Sequence, residues 1–146
     1  MISIHEIIKS SGINIKHKGN PGWVCSALIT ERLTYYIADG LGLPYERVIL
    51  TYLHFLIEKY GLSNLLEKDK NYFRIGSLDD KLIMAKSIRF LLPPHNLIMK
   101  LRNNNIKQVS EYYCVPETLV ITLIKDLVIL GYDIQMTPEI AIIMFS

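Results

Sequence analysis

Thr34-Tyr35-Tyr36-Ile37-Ala38-Asp39-Gly40-Leu41-Gly42-Leu43 joins an apolar, aromatic run to a glycine-rich turn. Leu33, Ile37 and Leu41 recur at helical spacing, and the Thr30 hydroxyl is placed to cap a helix start, so the pattern predicts a helix over 30–41. Gly40 and Gly42 weaken its end. Pro44 either stops it or opens the next helix at its first position.

Working outward toward the N-terminus, Ile4, Ile7 and Ile8 fall on one helical face and Gly12 follows as a stop, which predicts a short helix over 2–11. Residues 13–17 alternate apolar and polar, 18–22 are turn chemistry (Lys-Gly-Asn-Pro-Gly), and 23–28 read as a second strand. Toward the C-terminus, Val48, Ile49, Tyr52, Leu53, Leu56 and Ile57 give a strongly amphipathic helix over 44–60, closed by Gly61. His54 and Glu58 lie four apart on it, a spacing that fits a surface pair. Residues 62–74 are polar and mixed in charge. Ser77 caps a helix over 78–92 with Asp79 and Asp80 in its first turn, and Pro93-Pro94 ends it.

A short helix is expected over 95–101 and a turn over 102–105. The next stretch has the outline of a helix-turn-helix: Ile106, Val109 and Tyr112 on a first helix, a turn through Cys114-Val115-Pro116, and Leu119, Val120 and Leu123 on a second. A DNA-reading helix needs Arg, Lys, Asn or Gln aimed at base edges. The exposed candidates are Lys107, Gln108, Glu117, Thr118, Thr122 and Lys125, a set partly acidic, so a packing module is favoured over a DNA reader. Beyond Gly131, residues 132–135 and 140–145 are apolar and predict a terminal hairpin, or a strand and a short helix. The run Ile140-Ala141-Ile142-Ile143-Met144-Phe145 is expected in the core or in a homodimer interface.

Three of these segments, in order, resemble the ImmA/IrrE family of metallopeptidases. Thr34 to Leu43 resembles the family's T-x-A-H-E-L-G-H helix: Ile37, Ala38, Leu41 and Gly42 keep its apolar and small positions, with Asp39 at the first His, Gly40 at the Glu and Leu43 at the second His. Residues 80–94, with Ile83, Met84, Ala85, Ile88, Phe90, Leu91, Leu92 and the prolines, resemble the family's E-x-x-A-x-x-F-A-x-x-L-L-x-P segment, whose acidic residue is a third zinc ligand; Asp80 stands near that position, or Lys81 under a one-residue shift. The helix-turn-helix-like region is the third match, with Pro116 in place of the usual Ser and Thr122 near a common Arg. The resemblance implies an α+β, mainly helical fold: a zincin-like helical core with a small N-terminal β-sheet and a C-terminal helix-turn-helix-like segment. It implies one domain over 1–146, divided into a degenerate peptidase-like core (1–94) and a C-terminal subregion (95–146).

Zinc hydrolysis needs about three protein ligands, an open position for water and a general base. Leu43 has no lone pair for a metal, and Gly40 has no side chain to take a proton. The expectation is therefore a catalytically inactive pseudo-peptidase with no cofactor, acting by binding a protein. A family resemblance of phage or mobile-element type makes a helix-turn-helix repressor the expected partner. Two alternatives stand beside it: a small helix-turn-helix DNA-binding regulator, and a hydrolase with a centre rebuilt around Asp39, His54 and Glu58 or Asp80.

Composition narrows the setting. At 146 residues the chain can bury one core, and with 50% hydrophobic and 21% charged residues it is not a disordered sequence. A net charge of +2 declares no nucleic-acid or membrane partner. Cys25 and Cys114 are isolated, without metal-binding spacing, as free thiols would be in a reducing cytoplasm. The apolar run from Leu119 to Leu130 is broken by Lys125 and Asp126 well short of the ~20 residues a membrane span needs.

Overall fold

The stretch over 34–38 is a β-strand, not a helix. The computed structural model describes residues 3–19, 27–30, 33–63, 72–74 and 81–145. Within it α1 spans Ile4–Ser10, β1 Asn14–Lys18, β2 Ala27–Thr30, β3 Thr34–Ala38, α2 Leu43–Tyr60 and β4 Tyr72–Arg74. They are followed by α3 (Lys81–Leu91), α4 (Pro94–Leu101), α5 (Ile106–Tyr113), α6 (Glu117–Ile129) and α7 (Pro138–Phe145). The fold is mainly helical with one small sheet. Among the described residues no helix is long and apolar enough to cross a membrane.

The correction at β3 has a physical cause. Tyr35 and Ile37 are fully buried while Tyr36 and Ala38 are half-buried, the period of two that a strand needs. The run Thr-Tyr-Tyr-Ile is aromatic and β-branched, composition that suits a pleated surface. Leu33, the first residue of the expected apolar helix face, has φ +55°, a left-handed backbone that a helix interior does not accept.

The chain divides into two compact units, residues 1–87 and 88–146, and the division falls inside α3. In the first unit the strand order is β1-β3-β2-β4; β1 and β3 run parallel, while β2 is antiparallel to both β3 and β4. The parallel register sets Ile15 beside Tyr35 and His17 beside Ile37. Tyr35 and Ile37 join Ile4 and Ile8 of α1, Ile13, and Ile49, Leu50, Leu53 and Leu56 of α2 in one core cluster. Burial on consecutive α2 residues, Val48 through Leu53, makes it the central helix of the unit rather than a one-faced surface helix.

In the second unit α4 packs on α5, α5 on α6 and α6 on α7. Leu97, Leu101, Val109, Val120, Leu123, Ile124, Leu127 and Ile140 are buried there. Asn105 and Gln108 form a reciprocal capping box at the start of α5. Cys114 ends α5 in the left-handed conformation, and α6 begins three residues later.

Of the alternatives for the terminal segment, the short helix is present as α7, while residues 132–135 form no strand. Pro138 occupies its first position, where its missing N–H is not needed, and the Thr137 hydroxyl accepts from the Ile140 N–H at 3.3 Å. Glu139 on α7 accepts from the Ile106 N–H at 2.9 Å, tying α7 to the start of α5. Only Ile140 of the apolar run is buried; Ile142 and Phe145 are 69% and 84% exposed. Residues 23–26, most of 62–74 and the Ser77-to-Asp80 helix start expected from the sequence lie outside the described residues.

Candidate functional site

The positions of the degenerate zinc motif do not share a helix. Asp39 and Gly40 form the turn after β3, and Leu43 is the first residue of α2, half-exposed. Gly40 and Gly42 have φ +82° and +87°. That conformation favours glycine, so Gly40 has a conformational reason to be where it is. Two ligands a helical turn apart need one continuous helix, and the left-handed turn between Asp39 and Leu43 removes it. Asp39 is exposed; a methyl group built on Gly19 would stand 3.5 Å from its Oδ2. Asp80 lies outside the described residues.

The histidines fall at 5, 17, 54 and 95, so no helix presents two imidazoles a turn apart. On α2, His54 has Leu50, fully buried, four residues before it and Glu58 four residues after it, with 3.7 Å between its Nε2 and the Glu58 carboxylate. Glu58 also accepts from Lys86 Nζ at 3.4 Å. Asp39 leads into the opposite, N-terminal end of α2, and His54 lies roughly 12 Å further along the helix axis than Glu46. Asp39 and the His54–Glu58 pair therefore belong to different ends of α2.

The structure does bring together three side chains that no local spacing connects. Glu46, in the first turn of α2, accepts from or pairs with His5 Nε2 of α1 at 3.4 Å on Oε2 and His17 Nε2 of β1 at 2.5 Å on Oε1. The His5 imidazole thus pairs with Glu46 across the fold. The Glu46 side chain is 13% exposed, and those of His5 and His17 are 26% and 48% exposed. Two imidazoles and a carboxylate are also the kind of donor set zinc uses. Here each ring nitrogen takes a different carboxylate oxygen, and among the described residues no group of three or more His, Cys, Asp or Glu could hold a metal ion. What the arrangement does is fasten α1 and β1 to the N-terminal turn of α2.

The candidate contacts of the helix-turn-helix-like region are all exposed. Thr118, Thr122 and Lys125 follow one face of α6, and Glu117 is at its start. Two of the set are already engaged: Gln108 Oε1 accepts from the Asn105 N–H at 2.9 Å, and the Thr122 hydroxyl donates to the Thr118 carbonyl at 2.8 Å. Lys107 is the second residue of α5 and is exposed.

Compared with protein-family models, with curated proteins and with solved structures, the chain finds no match. One concave feature of the first unit accompanies α2 and α3: a groove of about 320 Å³ between Phe55, Glu58 and Lys59 on α2 and Leu82, Ile83 and Lys86 on α3. Lys86 Nζ stands 5.0 Å from the Phe55 ring centroid as well as reaching Glu58, so one ammonium spans the rim of the groove.

Proposed function

We propose that the chain is a catalytically inactive relative of the ImmA/IrrE-like metallopeptidases that acts by binding a protein, a helix-turn-helix repressor of phage or mobile-element type. The observation that carries this reading is the set of side chains themselves. No two histidines stand four residues apart, and Leu50 and Thr51 occupy the positions on α2 that a His and a Glu would need for His54 to complete an H-E-x-x-H pattern. A buried Leu and a Thr whose hydroxyl donates to the Arg47 carbonyl at 2.6 Å offer neither a metal ligand nor a free base.

The test uses the purified chain and a helix-turn-helix repressor of phage or mobile-element type. Binding of the repressor with no cleavage supports the reading. Stoichiometric zinc in the purified chain, or repressor cleavage abolished by a chelator, overturns it.

A second reading, a DNA-binding regulator, is favoured by one arrangement: α5, a three-residue turn with left-handed Cys114, and α6. Its signature is a salt-sensitive shift of duplex DNA that disappears in the Lys107→Glu, Lys125→Glu double variant.

A further inference from the structure

In the second unit, α4, α5 and the turn between them line an open cleft of about 370 Å³. Its walls carry Asn96 and Lys100 of α4, Asn103 and Asn104 of the turn, and Tyr112 and Tyr113 of α5. Lys100 Nζ stands 3.7 Å from the centroid of the Tyr112 ring. Tyr113 meets that ring edge-on, centroids 4.9 Å apart, and Tyr112 is still 64% exposed.

The hydrogen-bonding inventory decides what such a cleft can take. Asn104 is committed through Nδ2, which donates to the Lys100 carbonyl at 3.0 Å and fixes the turn. The carboxamides of Asn96 and Asn103 are not spent on any described residue, so each offers donors and an acceptor in one plane. Among the described residues no carboxylate pairs with the Lys100 ammonium, and none lines the cleft. The exposed Arg102 and Lys107 flank it in sequence, which places three cations within eight residues.

We propose that this cleft binds a nucleotide, either free or as one unit of a single strand. An ammonium without an acidic partner selects an anionic group, and the phosphate supplies it. Lys100 covers one face of the Tyr112 phenol, and what the ring leaves exposed selects a flat π face, which the base supplies. Side-chain carboxamides match the paired donor and acceptor edge of a base, adenine's best of all. The volume lies near the lower end of ligand pockets and suits one nucleotide rather than a larger cofactor. A neutral sugar would leave the ammonium unmatched, and an acidic peptide would leave the aromatic face and the amide edges unused.

The experiment is an amide-resolved NMR titration of the full chain with AMP, adenosine, inorganic phosphate, a single-stranded oligo(dA) and a duplex of the same length. Saturable shifts confined to residues 96–113 are expected with AMP and with oligo(dA). Inorganic phosphate should bind at least about tenfold more weakly than AMP, because it lacks the base. Tyr112→Ala is expected to weaken AMP about tenfold while leaving the spectrum of the remaining fold intact, the ring being exposed. Lys100→Gln should remove the preference for AMP over adenosine, a readout that a merely structural role would not move. Equal affinity for AMP and oligo(dA) assigns the free nucleotide, and tighter, salt-dependent binding of the oligomer assigns the strand. Absence of saturable shifts, identical binding of phosphate and AMP, binding of duplex alone, or AMP affinity unchanged in both variants overturns the proposal.

Discussion

Glu46 is the residue with the most to lose. Its carboxylate meets two imidazoles from two other elements and is itself largely shielded from solvent. Glu46→Ala removes both contacts and leaves ring nitrogens facing a gap, so the expected cost is about 1–2 kcal/mol, read from urea denaturation of the full chain. His17→Ala should cost less than about 1 kcal/mol, since that ring is half-exposed and its pairing is screened. A larger loss for His17→Ala than for Glu46→Ala would show that the imidazole packs rather than pairs. Tyr113 gives a pH-dependent counterpart. Burial, with the neighbouring Tyr112 phenol adding to it, pushes its pKa above the usual 10.0. A raised acid pKa means that the folded chain holds the proton more tightly than the unfolded one. This contribution is therefore complete below pH ~10 and is lost as pH rises through the folded-state pKa. The melting temperature should fall less steeply above pH ~10 in Tyr113→Phe than in the parent.

At the scale of elements, α2 is the member that organises the first unit, and its buried positions set the largest expected penalties. Leu53 is fully buried in the core cluster, so Leu53→Ala should destabilise by about 2–5 kcal/mol in denaturant titration. The capping box at α5 is worth less: Asn105→Ala removes the acceptor for the Gln108 N–H at 2.8 Å and should cost about 1 kcal/mol. These elements were legible in the chain. Ile49, Leu53 and Leu56 announce α2 because they repeat at helical spacing over about two turns, and Gly61 and Pro44 mark its ends. β3 was not, because Leu33, Ile37 and Leu41 imitate a helix face and mask the strand spacing of Tyr35 and Ile37, the residues that enter the core; the aromatic and β-branched run over 34–37 was the local signal that favoured the strand. Thr30, expected to cap that helix, ends β2 instead. The His5, Glu46 and His17 contact was illegible for a different reason. Its members stand 29 and 41 residues from Glu46, and only the parallel pairing of β1 with β3 carries His17 to the start of α2.

For the molecule as a whole, the balance between apolar surface and charge sets solution behaviour. Half the residues are hydrophobic and the net charge is only +2, which gives little mutual repulsion between chains. The exposed large apolar side chains gather toward the C-terminal end of the sequence: Ile129 and Leu130 at the end of α6, then Ile142 and Phe145 on α7. The single charged side chain on α7, Glu139, is occupied in capping α5, which leaves the exposed Ile142 and Phe145 with no other charged side chain on their helix. Self-association of the full chain should follow, visible as a light-scattering mass that rises with concentration. Ile142→Lys with Phe145→Lys adds charge where both side chains are already mostly in solvent. It should lower that mass toward the monomer without lowering the melting temperature. A melting temperature that falls with the mass would mean that these two side chains are packed in the native state, and a mass that does not change would move the contact to a different surface.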